Sequence, residues 1–252
     1  MADKGIIFSA SMVRALLSGS KTQTRRLLRN PEYFGCPTGD CPHETQAQCN
    51  EAMAGLSAKE ANGYAAGDRL YVREQCRAEE LSRPDQIRPA TRKERQLLGR
   101  TSVIVSDELD GMDGVRYIAD NEWRQIENTS AAGEAWLELF HYRGRGKDRI
   151  GNSVPSIHMP RWASRLWLSV TEVRVQRLQD IRENDCYCEG LDRPLGPRLG
   201  SDVTARDNAQ RWYRDLWHSL HTKTGERWED NPWIVAVSFD VHKGNIDAGR
   251  GA

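Results

Sequence analysis

Apolar residues fall into short runs separated by long polar stretches, and the spacing within each run predicts an element. Gly5-Ile6-Ile7-Phe8 is apolar and β-prone, and Met12, Val13, Leu16 and Leu17 then recur at helical spacing behind a capping Ser9 or Ser11. Gly19 is placed to end that helix, and a second strand follows. After the turn at Gly67-Asp68, strict alternation puts Leu70, Val72 and Glu74 on one face of a strand. The fold resumes at residues 115–119. From Ser164 to Leu178, Leu166, Leu168, Val170, Val173 and Val175 alternate through an irregularity at Thr171-Glu172, which predicts paired strands or a bulge. A helix over 205–220, with Ala209, Trp212, Leu216 and Leu220 as its core face, precedes a last strand from Trp233 to Val241.

Between these elements periodicity disappears. Residues 28–66 and 77–115 read as polar surface insertions, the second with a helix around 91–98, and the Gly-rich residues 243–252 as a frayed tail. The expected organisation is one α+β domain over residues 1–242.

Composition narrows the function classes. The 252 residues have 38% hydrophobic and 29% charged content, and no run approaches the roughly 20 apolar residues of a membrane-spanning helix. No membrane partner is expected, and the polar start, Met1-Ala2-Asp3-Lys4, gives the expectation of a cytoplasmic protein. Formal net charge is zero but segregated. Residues 1–29 hold six bases against Asp3, and residues 141–177 hold eight against Asp148 and Glu172. Folded together these stretches make a phosphate-binding patch; balanced by acids from elsewhere they are solvated faces.

The stretch Gly19-Ser20-Lys21-Thr22 suggests a P-loop and fails on spacing, because Arg14 stands where the first glycine belongs and the helix precedes the motif. Lys21 and Thr24 converge only if the link between them keeps a helical turn; on a continuous strand they point oppositely. Glu74, on a core-facing strand, is pushed towards apolar surroundings that raise a carboxyl pKa and suit it to proton transfer; at a solvated strand end it is ordinary surface charge.

Together, Gly19-Ser20-Lys21-Thr22-Gln23-Thr24-Arg25-Arg26 and Gly67-Asp68-Arg69-Leu70-Tyr71-Val72-Arg73-Glu74 resemble the signature of the ASCH domain, a PUA-like family, whose Gly-x-Lys-x-x-Thr-x-Arg pattern is matched by Gly19, Lys21, Thr24 and Arg26. Residues 156–165, the run 173–181 and Asn231-Pro232-Trp233 resemble ASCH-like proteins of tailed phages and prophages. The resemblance implies a small mixed β-barrel flanked by helices, here carrying long surface insertions. It also implies nucleoside or nucleic-acid chemistry. Small ASCH amidohydrolases remove the acyl group of N4-acetylcytidine with a lysine, a threonine and a glutamate, corresponding by motif to Lys21, Thr24 and Glu74; other members bind or cleave RNA.

A threonine hydroxyl needs a neighbouring base, which a neutral Lys21 supplies; a charged Lys21 stabilises the oxyanion instead. Glu74 then carries the proton to the leaving cytosine amine or orients a water. Lys21 paired with Glu74 only to close the barrel is the structural alternative. Arg26 and Arg69 are candidate phosphate or ribose contacts, and His158, Arg161, Trp162 and Arg165 combine a stacking ring with cations, as single-stranded RNA or DNA recognition requires. The same tryptophan also suits core packing.

The proposed chemistry needs no cofactor. Cys36, Cys41, His43 and Cys49 supply three thiols and an imidazole in the first insertion, a ligand set for a structural Zn2+. Cys186 and Cys188 read as free thiols in an acidic helix. The function expected is hydrolysis of an amide on a modified cytosine nucleoside, against a non-catalytic RNA or modified-base binder and a ribonuclease. Oligomeric state is open.

Overall fold

A computed structural model describes residues 3–28, 63–81, 87–89, 92, 95–96, 102–104, 112–144, 149–191 and 202–248. The architecture is α+β and divides into two compact units, the first built from Met1–Ile6, Ser11–Val72 and Ser164–Ala252, the second from Ile7–Ala10 and Arg73–Ala163.

The first unit is organised on a five-stranded sheet of order β1-β3-β9-β10-β2, with β1 Lys4–Ile7, β2 Gln23–Leu27, β3 Arg69–Arg73, β9 Leu166–Arg177 and β10 Trp233–Lys243. β10 pairs antiparallel with both β9 and β2, and β3 with β9. Leu166, Leu168 and Val170 are buried while Trp167 and Ser169 between them are partly exposed, so β9 alternates as its sequence demands. Its irregularity is a bulge: Ser238 pairs with Glu172 and Phe239 with Val170, leaving Thr171 as the extra residue. Among the described residues the ladders form an open sheet with β1 and β2 at its edges.

Helix α1, Ala10–Leu17, begins directly after Ser9 and buries Val13 and Leu16. Gly19 stops it at φ +77°, a backbone conformation glycine adopts without steric cost. Helices α3, Glu183–Cys188, and α4, Asp202–Leu220, form a core with β10 made of Leu178, Ile181, Cys186, Ala209, Tyr213, Trp217, Ile234 and Ala236. Ala209 is buried there, and Trp212 and Leu216 pack half-buried against this core, as expected; only Leu220 departs from the expected face. Tyr213 and Trp217 are buried and Leu220 is 52% exposed, because the contact runs along the i, i+4 row from Ala209 and ends one turn before Leu220.

The expected tail also needs correction. Gly244 N–H donates to the Arg165 carbonyl (2.8 Å), Asn245 Nδ2 donates to the Ser164 carbonyl (3.0 Å), and Ile246 is fully buried. An apolar side chain inside the core anchors the segment to residue 248. Ile246→Ala is expected to cost about 2–5 kcal/mol, read from the denaturation midpoint, where a frayed tail gives no change.

The second unit carries the sheet β4-β7-β8, with β4 Cys76–Leu81, β7 Met112–Tyr117 and β8 Trp123–Gln125, plus the two-stranded β5 Ile87–Pro89 and β6 Ser102–Ile104. Helix α2, Ser130–Phe140, is capped by Thr129 Oγ1 accepting from Ala132 N–H, and it packs Trp136 and Leu139 on Cys76, Ala78, Val115 and Tyr117. The predicted insertion from residue 77 thus begins with a strand whose Ala78 and Glu79 are buried. Its polar sequence hides this because the Glu79 carboxylate is paired: Arg116 donates from Nε (2.9 Å) and Nη2 (2.8 Å), and Arg77 donates to it as well. Hydrogen bonding from Arg116 and then Arg77 outweighs burial and holds that carboxyl below its usual range.

Candidate functional site

Lys21 sits where three elements meet. Its N–H donates to the Ala15 carbonyl of α1 (3.1 Å), and it forms an antiparallel bridge with Glu189 beyond α3. Thr22 N–H donates to the Cys188 carbonyl (2.8 Å), and the Thr22 carbonyl accepts from Phe239 N–H (2.9 Å). Gly190, at φ +108°, lets the chain after α3 pass α1; a Cβ there would lie 3.2 Å from that of Ala15.

The side chains around Lys21 form a buried ionic cluster. Lys21 Nζ donates to Glu189 Oε2 (2.6 Å) and to the Glu189 carbonyl (3.0 Å), with both residues almost wholly removed from water. Arg25 Nη1 donates to Glu189 Oε1 (3.0 Å) and to Gln23 Oε1 (2.7 Å), and Arg25 Nη2 lies 3.1 Å from Asp185 Oδ2. Arg174 joins at 3.3 Å from Asp185 Oδ1, and Arg25 lies over the Tyr213 ring at 5.6 Å. Burial lowers the pKa of Lys21, opposed by Glu189 and aided by the charges of Arg26 and Arg25.

Burial pushes Asp185 upward, but the Arg182 N–H and the charges of Arg25 and Arg174 outweigh it and hold the carboxyl below its ordinary value. A carboxyl depressed by folding contributes stability above its unfolded pKa, about 3.9, and that contribution is lost as pH falls through the folded value. The protein is therefore expected to lose stability below about pH 4, and Asp185→Asn to flatten this part of the pH profile in urea denaturation. An equal decline in the variant contradicts the assignment.

Thr24 is 3% exposed and pairs with Val237 across the β2–β10 ladder. Gln23 and Arg25 pair with Ser238 and Ala236, so Thr24 and Arg26 share the opposite face with Val235 and Val237. From Gln23 onward the link is extended strand, and its alternation separates Thr24 from Arg25, which shares the carboxylate of Glu189 with Lys21. Glu74 belongs to the second unit, just past β3, and is 1% exposed. Its burial matches the core-facing alternative, and its N–H donates to Met159 Sδ (3.1 Å). Burial and the Glu74 charge raise the nearby Cys76 thiol to about 12.

The remaining candidates divide. Arg26 is half-buried on β2, and Arg69 donates to the Ile246 carbonyl and lies over the Trp167 ring at 4.6 Å, a packed role. Arg165 is 1% exposed and so is not a surface nucleic-acid contact. His158 is exposed beside Tyr142, Arg161 is half-buried, and Trp162 packs partly against the core of the second unit, in line with core packing. Several residues of the two basic stretches are neutralised by acids from elsewhere: Lys4 by Asp68, Lys21 and Arg25 by Glu189, and Arg149 by Glu80. Cys36, Cys41, His43 and Cys49 lie outside the described residues, among which no group of three or more His, Cys, Asp or Glu could hold a metal ion. Cys186 and Cys188 are free thiols. No helix among the described residues is long and apolar enough to cross a membrane.

Asp185 and Glu189 were not singled out from the sequence. Their i, i+4 spacing, which puts two carboxylates on one helical face opposite a Lys-x-x-x-Arg segment, is the signal that could have found them. Comparison with protein-family models, with curated proteins and with solved structures finds no match.

Proposed function

We propose that the chain is an ASCH-type, PUA-like protein that hydrolyses the amide of an N4-acylated cytosine nucleoside or a related modified base. The observation that carries this reading is a lysine amine withdrawn from water, with its pKa lowered by burial, three residues before a buried threonine hydroxyl, inside the complete Gly19, Lys21, Thr24, Arg26 pattern. The buried carboxyl of Glu74 supports it further.

In the proposed reaction Thr24 Oγ1 attacks the acyl carbon as its proton passes to Glu74. Lys21 stabilises the oxyanion or takes part as base. The C–N4 bond then breaks with the proton delivered to N4, which releases the cytosine, and water hydrolyses the threonyl ester to return the acid. The chemistry uses side chains alone. It requires the Lys21 amine to reach the acyl group held at Thr24, which the alternation of β2 sets on the face away from Arg25.

The second reading is a non-catalytic binder of RNA or a modified base. It is favoured by the 2.6 Å contact to Glu189, which gives Lys21 a structural partner. A panel of N4-acyl cytidines incubated with the protein decides between them: release of free acid supports the hydrolase. Absence of turnover, with RNA binding that weakens as salt rises, supports the binder.

A further inference from the structure

The Lys21 ammonium has a carboxylate oxygen 2.6 Å from Nζ and the backbone carbonyl of the same residue, Glu189, at 3.0 Å. Two acceptors from one residue fix a long side chain at a single point. The second oxygen of Glu189 is tied to Arg25 at 3.0 Å, and Arg25 is itself tied to Gln23 and lies 3.1 Å from Asp185, so the carboxylate cannot swing away from Lys21 without breaking a buried ion pair. We propose that Glu189 is a positioning residue that holds Lys21 in place and in its charged form, which gives Lys21 the oxyanion-stabilising role. The catalytic part of this assignment rests on the hydrolase reading above; the hold of Glu189 on Lys21 does not.

A buried amine at this distance from a carboxylate is stable as the charged pair, since a neutral amine would leave the Glu189 charge facing Arg25 alone. Among the groups around Lys21 are Arg25 and Arg26 on β2, with Asp185 on α3 and Tyr213 on α4 placed around Arg25. The two arginines disfavour the ammonium, and Glu189 favours it. Burial raises the Tyr213 phenol well above its ordinary value, so it stays neutral beside the cluster.

The test is titration of the Lys21 amine by NMR in protein carrying isotope-labelled lysine, for wild type, Glu189→Gln and Glu189→Asp. Wild-type Lys21 is expected to be charged at pH 7. Its titration is expected to fall by about one unit or more in Glu189→Gln and to return towards wild type in Glu189→Asp, which keeps the charge on a shorter arm. The rate of N4-acetylcytidine hydrolysis against pH is expected to lose activity on the alkaline side as Lys21 deprotonates, with that limb moved to lower pH in Glu189→Gln. A neutral wild-type Lys21 at pH 7, or a titration unchanged in Glu189→Gln, overturns the proposal. Should Glu189→Gln fail to fold, the Glu189→Asp titration and the wild-type charge state decide it. No turnover in a protein that shows the NMR shift overturns the hydrolase reading and supports the hold of Glu189 on Lys21.

Discussion

If the proposed hydrolase reading holds, Lys21→Ala is expected to lower the rate of acid release from N4-acetylcytidine by about 10²–10³-fold or more, the cost of removing one preorganised partner of a developing oxyanion. The expectation follows from the amine's burial: in a water-poor site a fixed charge acts with little screening, and no solvent molecule replaces it at low cost. Thr24→Val, which keeps shape and removes the hydroxyl, is expected to lose at least as much, and combining the two is expected to add little, because groups acting in one step are not additive. Thermal melts of the same samples separate chemistry from folding. A Lys21→Ala protein that melts near wild type and still turns over at the wild-type rate removes the amine from the reaction.

Glu189→Ala is expected to produce the largest loss of stability among single changes in this cluster, about 3–5 kcal/mol. The carboxylate serves two buried cations, so its removal leaves Lys21 and Arg25 without that partner in a site closed to water. Asp185 still lies near Arg25, which limits the damage on that side. Lys21→Met combined with Glu189→Leu takes out both charges together and is expected to recover much of the loss, since apolar groups of similar size meet no desolvation cost. Urea denaturation of the single and double variants checks both statements. Equal midpoints for wild type and Glu189→Ala contradict the account of the cluster.

What the sequence made legible follows from which signals are local. The alternation of β9 and its bulge at Thr171-Glu172, the Gly19 stop after α1 and the buried Leu70-Val72-Glu74 face depend on residues a few positions apart, and all appear in the structure. The buried strand β4 was hidden because Glu79 is neutralised by Arg116, thirty-seven positions away. The docked segment after β10 was hidden because one isoleucine among glycines carries little periodic signal. The site shows the same division. Lys21, Thr24 and Glu74 were singled out by a motif and a strand face, and all three are buried. Glu189, the carboxylate paired with Lys21, lies 168 positions away, next to a stretch that the sequence marks only as an acidic helix with two free thiols. Long-range charge pairing leaves no trace in local composition, so the sequence left open whether the cations of the first 29 residues make a phosphate patch or are balanced from elsewhere; Lys4, Lys21 and Arg25 have internal acids.

The most direct measurement is a crystal structure of the Thr24→Val variant bound to N4-acetylcytidine, in which chemistry is stopped and the ligand remains whole. The account predicts the pyrimidine enclosed with its acyl carbon against residue 24, the carbonyl oxygen within hydrogen-bond reach of Lys21 Nζ, and the Glu74 carboxyl beside N4. Density for the nucleoside elsewhere, or Lys21, residue 24 and Glu74 turned to different surroundings with protein side chains filling the space, contradicts it.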